Sequence, residues 1–545
     1  MKIKSYLKKI SLGIIALLLI NCQNPVPYDL IIKNGLVYDG TQNPPQILDI
    51  AILEDKIVGL GDFSDAYALQ ILDVAGAAVA PGFIDTHTHL DPLDNLLALS
   101  NSESQLRQGV TTSIGGPDGR GVPLQYDFAE FLDTLSQVGV GINMGFMAGH
   151  NKIRKKVMRL DNREPTEKEL NRMIAMADQA MDEGAFGLST GLKYLPGNFA
   201  KIDEVIALSR VVAHKGGVYS THLRDEGIAI MPAIEETIEI GKKANIPIIL
   251  THHKVIGKPM WGKSDLTLAR VDKARNNGVN VLLDQYPYAA SHTGLSVLIP
   301  AWARAGGQEK FIERLSDSKS YAKIKEEIIF NILNDRGGED LNRIQFARVK
   351  WQPELEGKTL KDWIEMDGKK PTIENGAEYV IRGQRNGGAS CIYHAMEEKD
   401  VEKIMQHPLT MIASDGRLSS PGIGHPHPRA YGTFPRVLGK YVREKKLLSL
   451  QEAIYKMTLF PAKTYGIENR GQLKKGLKAD LVIFNPNTII DKATFIQPHQ
   501  YPVGISHVLV NGKWSIKNGE FLNKMNGLVL RKTIPSTTTT VVVNE

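Results

Sequence analysis

Eight apolar runs, each four to eight residues long and each ending in polar or ionisable residues, recur between residues 82 and 416. They end at GFIDTHTHLD (82–91), VTTSIGGPDG (110–119), INMGFMAGHN (142–151), AFGLSTGLKY (185–194), GGVYSTHLRDE (216–226), IPIILTHHK (246–254), VNVLLDQYPY (279–288) and LTMIASDG (409–416). Helix-patterned stretches lie between them: 166–183, opened by the capping-box pair Thr166 and Glu169, then 202–215, 228–244 and 266–277. Continuous apolar strands alternating with helices predict an α/β fold, a (β/α)8 TIM-like barrel whose strand C-termini line one face.

The rest of the chain is organised around that barrel. Short alternating runs punctuated by Asp-Gly, Asn-Gly and Pro-Pro fill 29–79, and the same texture returns at 479–486 and 505–519. Neither segment can bury a sheet alone, so both chain ends are predicted to close into one small β-sandwich. The division is then 22–80 and 467–530 for the two sandwich parts, 81–466 for the barrel, and 531–545 for a Thr/Val tail. A helical stretch at about 290–342 breaks the rhythm and reads as an inserted lid or subdomain; together with 291–296 it is placed to shape side-chain preference.

Residues 1–21 carry Lys2, Lys4, Lys8 and Lys9 ahead of an apolar core from Ile10 to Ile20, the pattern of an export signal and too short to span a bilayer. Cys22 follows in the position of a bacterial lipoprotein's lipidated cysteine, although Asn21 replaces the usual small residue. The chain is therefore expected to be exported, periplasmic or cell-surface, with a lipid anchor at Cys22 as its one link to a membrane. With only Cys22 and Cys391, a disulfide framework is excluded. A net charge of +6 over 545 residues, with no basic run, gives no footing for nucleic acid.

The chemistry gathers at the strand ends. His87 and His89 are two apart on a strand and share a face, while His222, His252 and Asp415 each follow an apolar run. One histidine at a strand end is more often a hydrogen-bonded structural residue than a ligand. Five such residues at four strand ends, on the face where barrels build active sites, point to zinc or a similar divalent ion, one or two in number. Asp415 in SDG could simply form a turn, but beside these histidines it reads as a base on metal-bound water.

The segments PGFIDTHTH, YSTHLRDEG, THHK, ASDG and HPHPRAYGTFPRVLGKY, with RGQLKKGLKADLVIFNP, resemble the N-acyl-D-amino-acid deacylases (D-aminoacylases) of the amidohydrolase superfamily over roughly 29–522. That resemblance implies a metal-dependent barrel with a flanking β-sandwich, hydrolysing the amide bond of a small N-acyl-D-amino acid. It implies that His222 and His252 hold the tighter metal, that His87 and His89 serve a weaker or second site, and that Asp415 is the general base. It likewise implies that Arg429 clamps the substrate carboxylate, with Lys254 and Tyr286 as further carboxylate contacts and Tyr194 at the active site. His150 is a candidate orienting residue on the same grounds, or a structural histidine.

One departure matters. The family typically has Gly-Asn-Cys-Gly after the second strand, with the cysteine as metal ligand; this chain has Gly116-Pro117-Asp118-Gly119. Two neighbouring divalent ions repel unless an anion lies between them. Either Asp118 supplies it directly, or Lys193, at the end of the fourth strand, does so after carboxylation. The competing functions are a hydrolase of D-amino-acid-containing dipeptides or of cyclic amides, and a catalytically dead surface binder.

Overall fold

The computed structural model describes residues 27–534; the expected export signal, Cys22 and most of the Thr/Val tail lie outside them. Eight short parallel strands form the barrel: Phe83–Asp85, Val110–Gly115, Asn143–Phe146 continued by Ala148–Gly149, Gly187–Gly191, Val218–His222, Ile248–Leu250, Val281–Gln285 and Thr410–Ile412. Successive strands pair in parallel from the first to the eighth. The ring closes through side chains and two short extensions: Ser414 N donates to Asp85 Oδ1 (2.9 Å), Asp415 N donates to the His87 carbonyl (2.9 Å), and Gly416–Arg417 pairs with Thr88–His89.

The interior is layered by the two-residue period of each strand. Ile84, Ile114, Met147, Phe186, Val218, Ile249, Leu282 and Met411, one on or beside each of the eight strands, pack into an apolar plug. One step further toward the C-terminal mouth come Ser220, Thr251 and Asp284, and beyond them His222 and Asp415. The same alternation that buries the plug therefore delivers ligands to the mouth.

The helices expected from the sequence are present. Glu167–Asp182 starts at Thr166, whose hydroxyl accepts from Glu169 N while the Glu169 carboxylate accepts from Thr166 N (2.8 Å). Ile202–His214 and Ser264–Asn276 follow at the predicted places. The helix predicted from 228 begins later, at Ile230, because Asp225 Oδ1 accepts from Gly227 N (2.9 Å) and Ala229 N (3.0 Å) and holds that stretch as a turn.

The insertion is larger than the expected 290–342. Ser291–Gly294 pairs antiparallel with Ser390–Tyr393, which also pairs with Ile344–Arg348, so the subdomain closes about a hundred residues after it opens. Its helices Ser318–Asp335 and Ile373–Arg385 pack together. Pairing between segments so far apart leaves no local mark in the sequence.

The two chain ends meet in one connected nine-stranded sheet; two separately paired sheets, as a sandwich would give, are not found among the described residues. Its seam is Ala78–Pro81, parallel to Leu36–Val37 on one side and antiparallel to Leu481–Phe484 on the other. The chain then leaves the sheet: Met144 N donates to Leu528 O (2.9 Å) and Leu530 N to Met144 O (2.7 Å). The third strand's ladder with the fourth begins at Ala148, preceded by one bond from Phe186 N to the Phe146 carbonyl (2.9 Å), and this C-terminal segment satisfies the backbone groups of Met144.

Candidate active site and metal centre

His87, His89, Asp118, His222, His252 and Asp415 converge at the barrel mouth, each no more than 6% exposed. Two sets of ligand atoms lie within 4.8 Å of one another: His87, His89, Asp118 and Asp415, and Asp118, His222 and His252. Asp118 belongs to both. Its Oδ1 is 3.3 Å from His252 Nε2 and 3.7 Å from His87 Nε2, and its Oδ2 is 3.6 Å from His89 Nε2.

The residues fit a divalent ion on their own evidence. Among the described residues His87 Nε2 is buried without a hydrogen-bond partner, yet faces Asp118 at 3.7 Å and Asp415 at 3.5 Å. Its Nδ1 meets Thr251 Oγ1, which itself donates to Asp284 (2.9 Å), so the hydrogen-bond chain assigns the ring proton to Nδ1 and a lone pair to Nε2. A lone pair aimed at two carboxylates is repulsive unless a cation lies between them. In the second set, His222 Nδ1 and His252 Nε2 approach to 2.8 Å around the same carboxylate. Burial pushes His87 and His222 down to about 3, which keeps both imidazoles in the neutral form that ligates.

The backbone is bent to make this arrangement. Asp118, His252 and Asp415 all adopt left-handed conformations, with φ of 53°, 39° and 50°. Non-glycine residues do so at a cost that surrounding structure must offset, and such residues concentrate at functional sites. The loop carrying Asp118 also needs Gly191 beneath it: a Cβ there would stand 2.4 Å from the Asp118 carbonyl.

Sequence reasoning missed the carboxylate that supports the second set. Glu226 is 3% exposed; its Oε1 accepts from Lys254 Nζ (2.6 Å) and lies 3.2 Å from His252 Nδ1, and its Oε2 lies 3.5 Å from His222 Nε2. Its place four residues after His222 in THLRDE was the available cue. Arg120, Arg336 and Arg417 also line the cavity, without any motif to mark them.

Several expected roles change. Lys193 joins neither ligand set: its ammonium lies 3.3 Å from Asp225 and 3.2 Å from Asp335. Burial lowers its proton affinity, but those two carboxylates outweigh burial and raise it, the opposite of what carboxylation requires. Lys254 lines the cavity, but its ammonium is engaged by Glu226 and by the His252 carbonyl (2.9 Å). Tyr286 donates to Met396 Sδ (3.6 Å) and lies under the Arg429 guanidinium, 4.6 Å from ring centroid to Cζ, so it supports Arg429 from behind. Arg429 is 1% exposed and sits 2.9 Å from Asp415 Oδ2, while its Nε has no partner among the described residues. Tyr194 remains at the site, its ring 4.5 Å from that of His222 and its hydroxyl accepting from Thr293 Oγ1 (3.2 Å), a strut between barrel and subdomain.

His150 is structural. It is fully buried, and its Nε2 lies 2.7 Å from Glu204 Oε1, whose other oxygen pairs with the buried Arg154. Glu204→Ala leaves that guanidinium unpaired and should lower stability by about 3–5 kcal/mol in denaturant unfolding. An unchanged midpoint would mean that the triad contributes nothing, and His150 would again need a role.

Comparisons agree with this geometry. Residues 371–516 match the model of an amidohydrolase family. The chain is 35% identical over 527 residues to a D-aminoacylase of Alcaligenes xylosoxydans xylosoxydans, covering 93% of this chain and 98% of that one. A solved D-aminoacylase, described with a binuclear metal centre, shares 36% identity at a TM-score of 0.79, covering 93% of this chain and all of its own. The N-acyl-D-glutamate deacylase of Bordetella Bronchiseptica, solved with zinc and a phosphonate mimic of the tetrahedral intermediate, aligns with 33% identity, a TM-score of 0.79 and the same coverage.

Proposed function

The chain belongs to the N-acyl-D-amino-acid deacylase family of the amidohydrolases, and from that membership we infer that it is itself a metal-dependent deacylase. It hydrolyses the linear amide of an N-acyl-D-amino acid, releasing a carboxylic acid and the free D-amino acid. The observation that carries this reading is Asp118 standing between the two ligand sets, an anion where the family's metal centre needs one.

Asp118 with His222 and His252 would hold one ion, and Asp118 with His87 and His89 a second. A divalent ion bound there supplies a water acidified toward a pKa of about 7 and a positive charge beside the acyl oxygen. Asp415 Oδ1, 3.0 Å from His89 Nε2, faces that position and is placed to take the water's proton and return it to the departing amine. Burial alone would raise the Asp415 carboxyl; the Arg429 guanidinium beside it reverses this and holds it well below the usual range, so it is ionised. Arg429, with Nε free, is oriented by Tyr286 to take the substrate α-carboxylate next to Asp415. Such a hold, at a fixed distance from the amide, lets the site select one hand of the chiral centre.

The terminal sheet is read as a folded-over β-sandwich, supported by one apolar cluster in which Leu30, Ile50 and Ile52 pack with Leu481, Ile483 and Leu509. The amino-terminal pattern supports an exported, lipid-anchored protein.

The test is turnover of zinc-loaded protein on N-acetyl-D-amino acids, their L-enantiomers and D-dipeptides. N-acetyl-D-amino acids should be cleaved at least about 100-fold faster than the L series. A chelator should abolish the rate and zinc restore it. Equal rates for both hands, or a rate indifferent to chelation, would overturn the reading.

A further inference from the structure

One edge of the terminal sheet is apolar and open to solvent. Leu69 and Ile71 are two apart on strand Ala68–Asp73 and share a face, with Tyr67 at the strand's head; the three side chains are 65%, 56% and 67% exposed. Gln70 and Leu72 turn to the other face, Gln70 accepting from Trp514 Nε1 (3.2 Å) and Leu72 packing in the cluster of Leu30 and Ile32. The strand pairs in parallel with Tyr28–Lys33, and among the described residues no strand pairs with its other side. Scattered exposed apolar residues need no explanation, but an apolar row on an unpaired edge is a surface that something covers.

The row lies where the chain leaves its expected anchor. Tyr28 N donates to the Tyr67 carbonyl (3.1 Å), and Tyr28 pairs with Ala68. Cys22 stands only five peptide steps before Pro27, and at no more than about 3.6 Å per step these reach about 18 Å. Acyl chains on Cys22 therefore keep Tyr67 close to the bilayer surface, within reach of an interface into which apolar faces sink about 5–10 Å. Asp65 and Asp73, both exposed, close the two ends of the row. Two copies joined along this edge would set acid against acid in either direction, which disfavours a second chain as the cover.

We propose that Tyr67, Leu69 and Ile71 seat on the surface of the bilayer that holds the lipid at Cys22. The protein is then attached at two points, which fixes how it sits on that surface. This goes beyond the deacylase reading and rests on the lipid anchor read from the amino-terminal pattern. The short link holds the row at a high local concentration of lipid, so a contact too weak to bind by itself is sufficient.

The test uses the full-length, acylated protein with Ser64→Cys carrying an environment-sensitive fluorophore, in phosphatidylcholine vesicles with and without doxyl-labelled lipid. Cys391 is buried and stays unlabelled. Doxyl lipid should quench the fluorophore. Leu69→Lys with Ile71→Lys should abolish the quenching, and Leu69→Thr with Ile71→Thr should reduce it, while the protein stays on the vesicles through Cys22. Melting temperature and turnover of both pairs should match the parent, as controls for folding. Quenching that survives the two lysines would come from the link alone and overturn the proposal. So would a fluorophore that remains in water on acylated, vesicle-bound protein, an outcome that leaves the anchor standing. A Cys22→Ser form that sediments as a dimer, and as a monomer once the two lysines are added, would give the row to a second copy and overturn it too. Mass spectrometry finding no acyl chain on Cys22 would remove the anchor reading itself, and the proposal with it, which tells the two failures apart.

Discussion

Asp118→Asn should empty the centre of metal and cut turnover by at least about 10³-fold, while Asp118→Cys should keep both in good part. The amide is nearly the same size as the carboxylate but carries no charge. Two divalent ions about 3.5–4 Å apart repel by on the order of 20 kcal/mol even at an effective dielectric constant of 20, and Asp118 is the carboxylate common to both ligand sets. Histidines held neutral by burial add no negative charge. A thiolate does, and it is the ligand that the family resemblance implies at this position, so the Cys variant isolates charge from shape. Metal per protein by mass spectrometry, measured beside kcat/KM, decides the matter. An Asn variant that retains its metal would show that Asp118 is not the bridging anion, and Lys193 would return as a candidate despite its pairing with Asp225 and Asp335.

Asp415→Asn should leave the ion of Asp118, His222 and His252 in place and reduce kcat by about 10³-fold, within the range for a general acid–base group. The two sets are separable here, since Asp415 belongs to the His87 and His89 group alone. The substituted amide can still occupy the space beside Arg429, but it cannot take a proton from water. Turnover within tenfold of the parent would remove Asp415 as the base and leave His87 and His89 to be tested in its place. Loss of the metal of the His87 and His89 set would instead make it chiefly a ligand.

The barrel and its chemistry were legible in the residue order because both obey short periods. Apolar runs at strand length, the two-residue alternation that carries Val218 to His222 and Met411 to Asp415, and the Thr166 capping box are all local signals. Residue order therefore determined the (β/α)8 architecture, the end at which ligands gather, and the identity of His87, His89, His222, His252 and Asp415. It could not choose between Asp118 and Lys193, since that choice depends on which side chain the folded loops aim inward and which they pair elsewhere. Nor could it separate His150, a neighbour of Glu204 and Arg154, from the histidines of the mouth. Glu226, Tyr286 behind Arg429, and Arg336 on the subdomain became visible only once segments tens to hundreds of residues apart were brought into contact. Strand period and helix caps are written in neighbours along the chain, whereas charge pairing, burial and strain are set by neighbours in space.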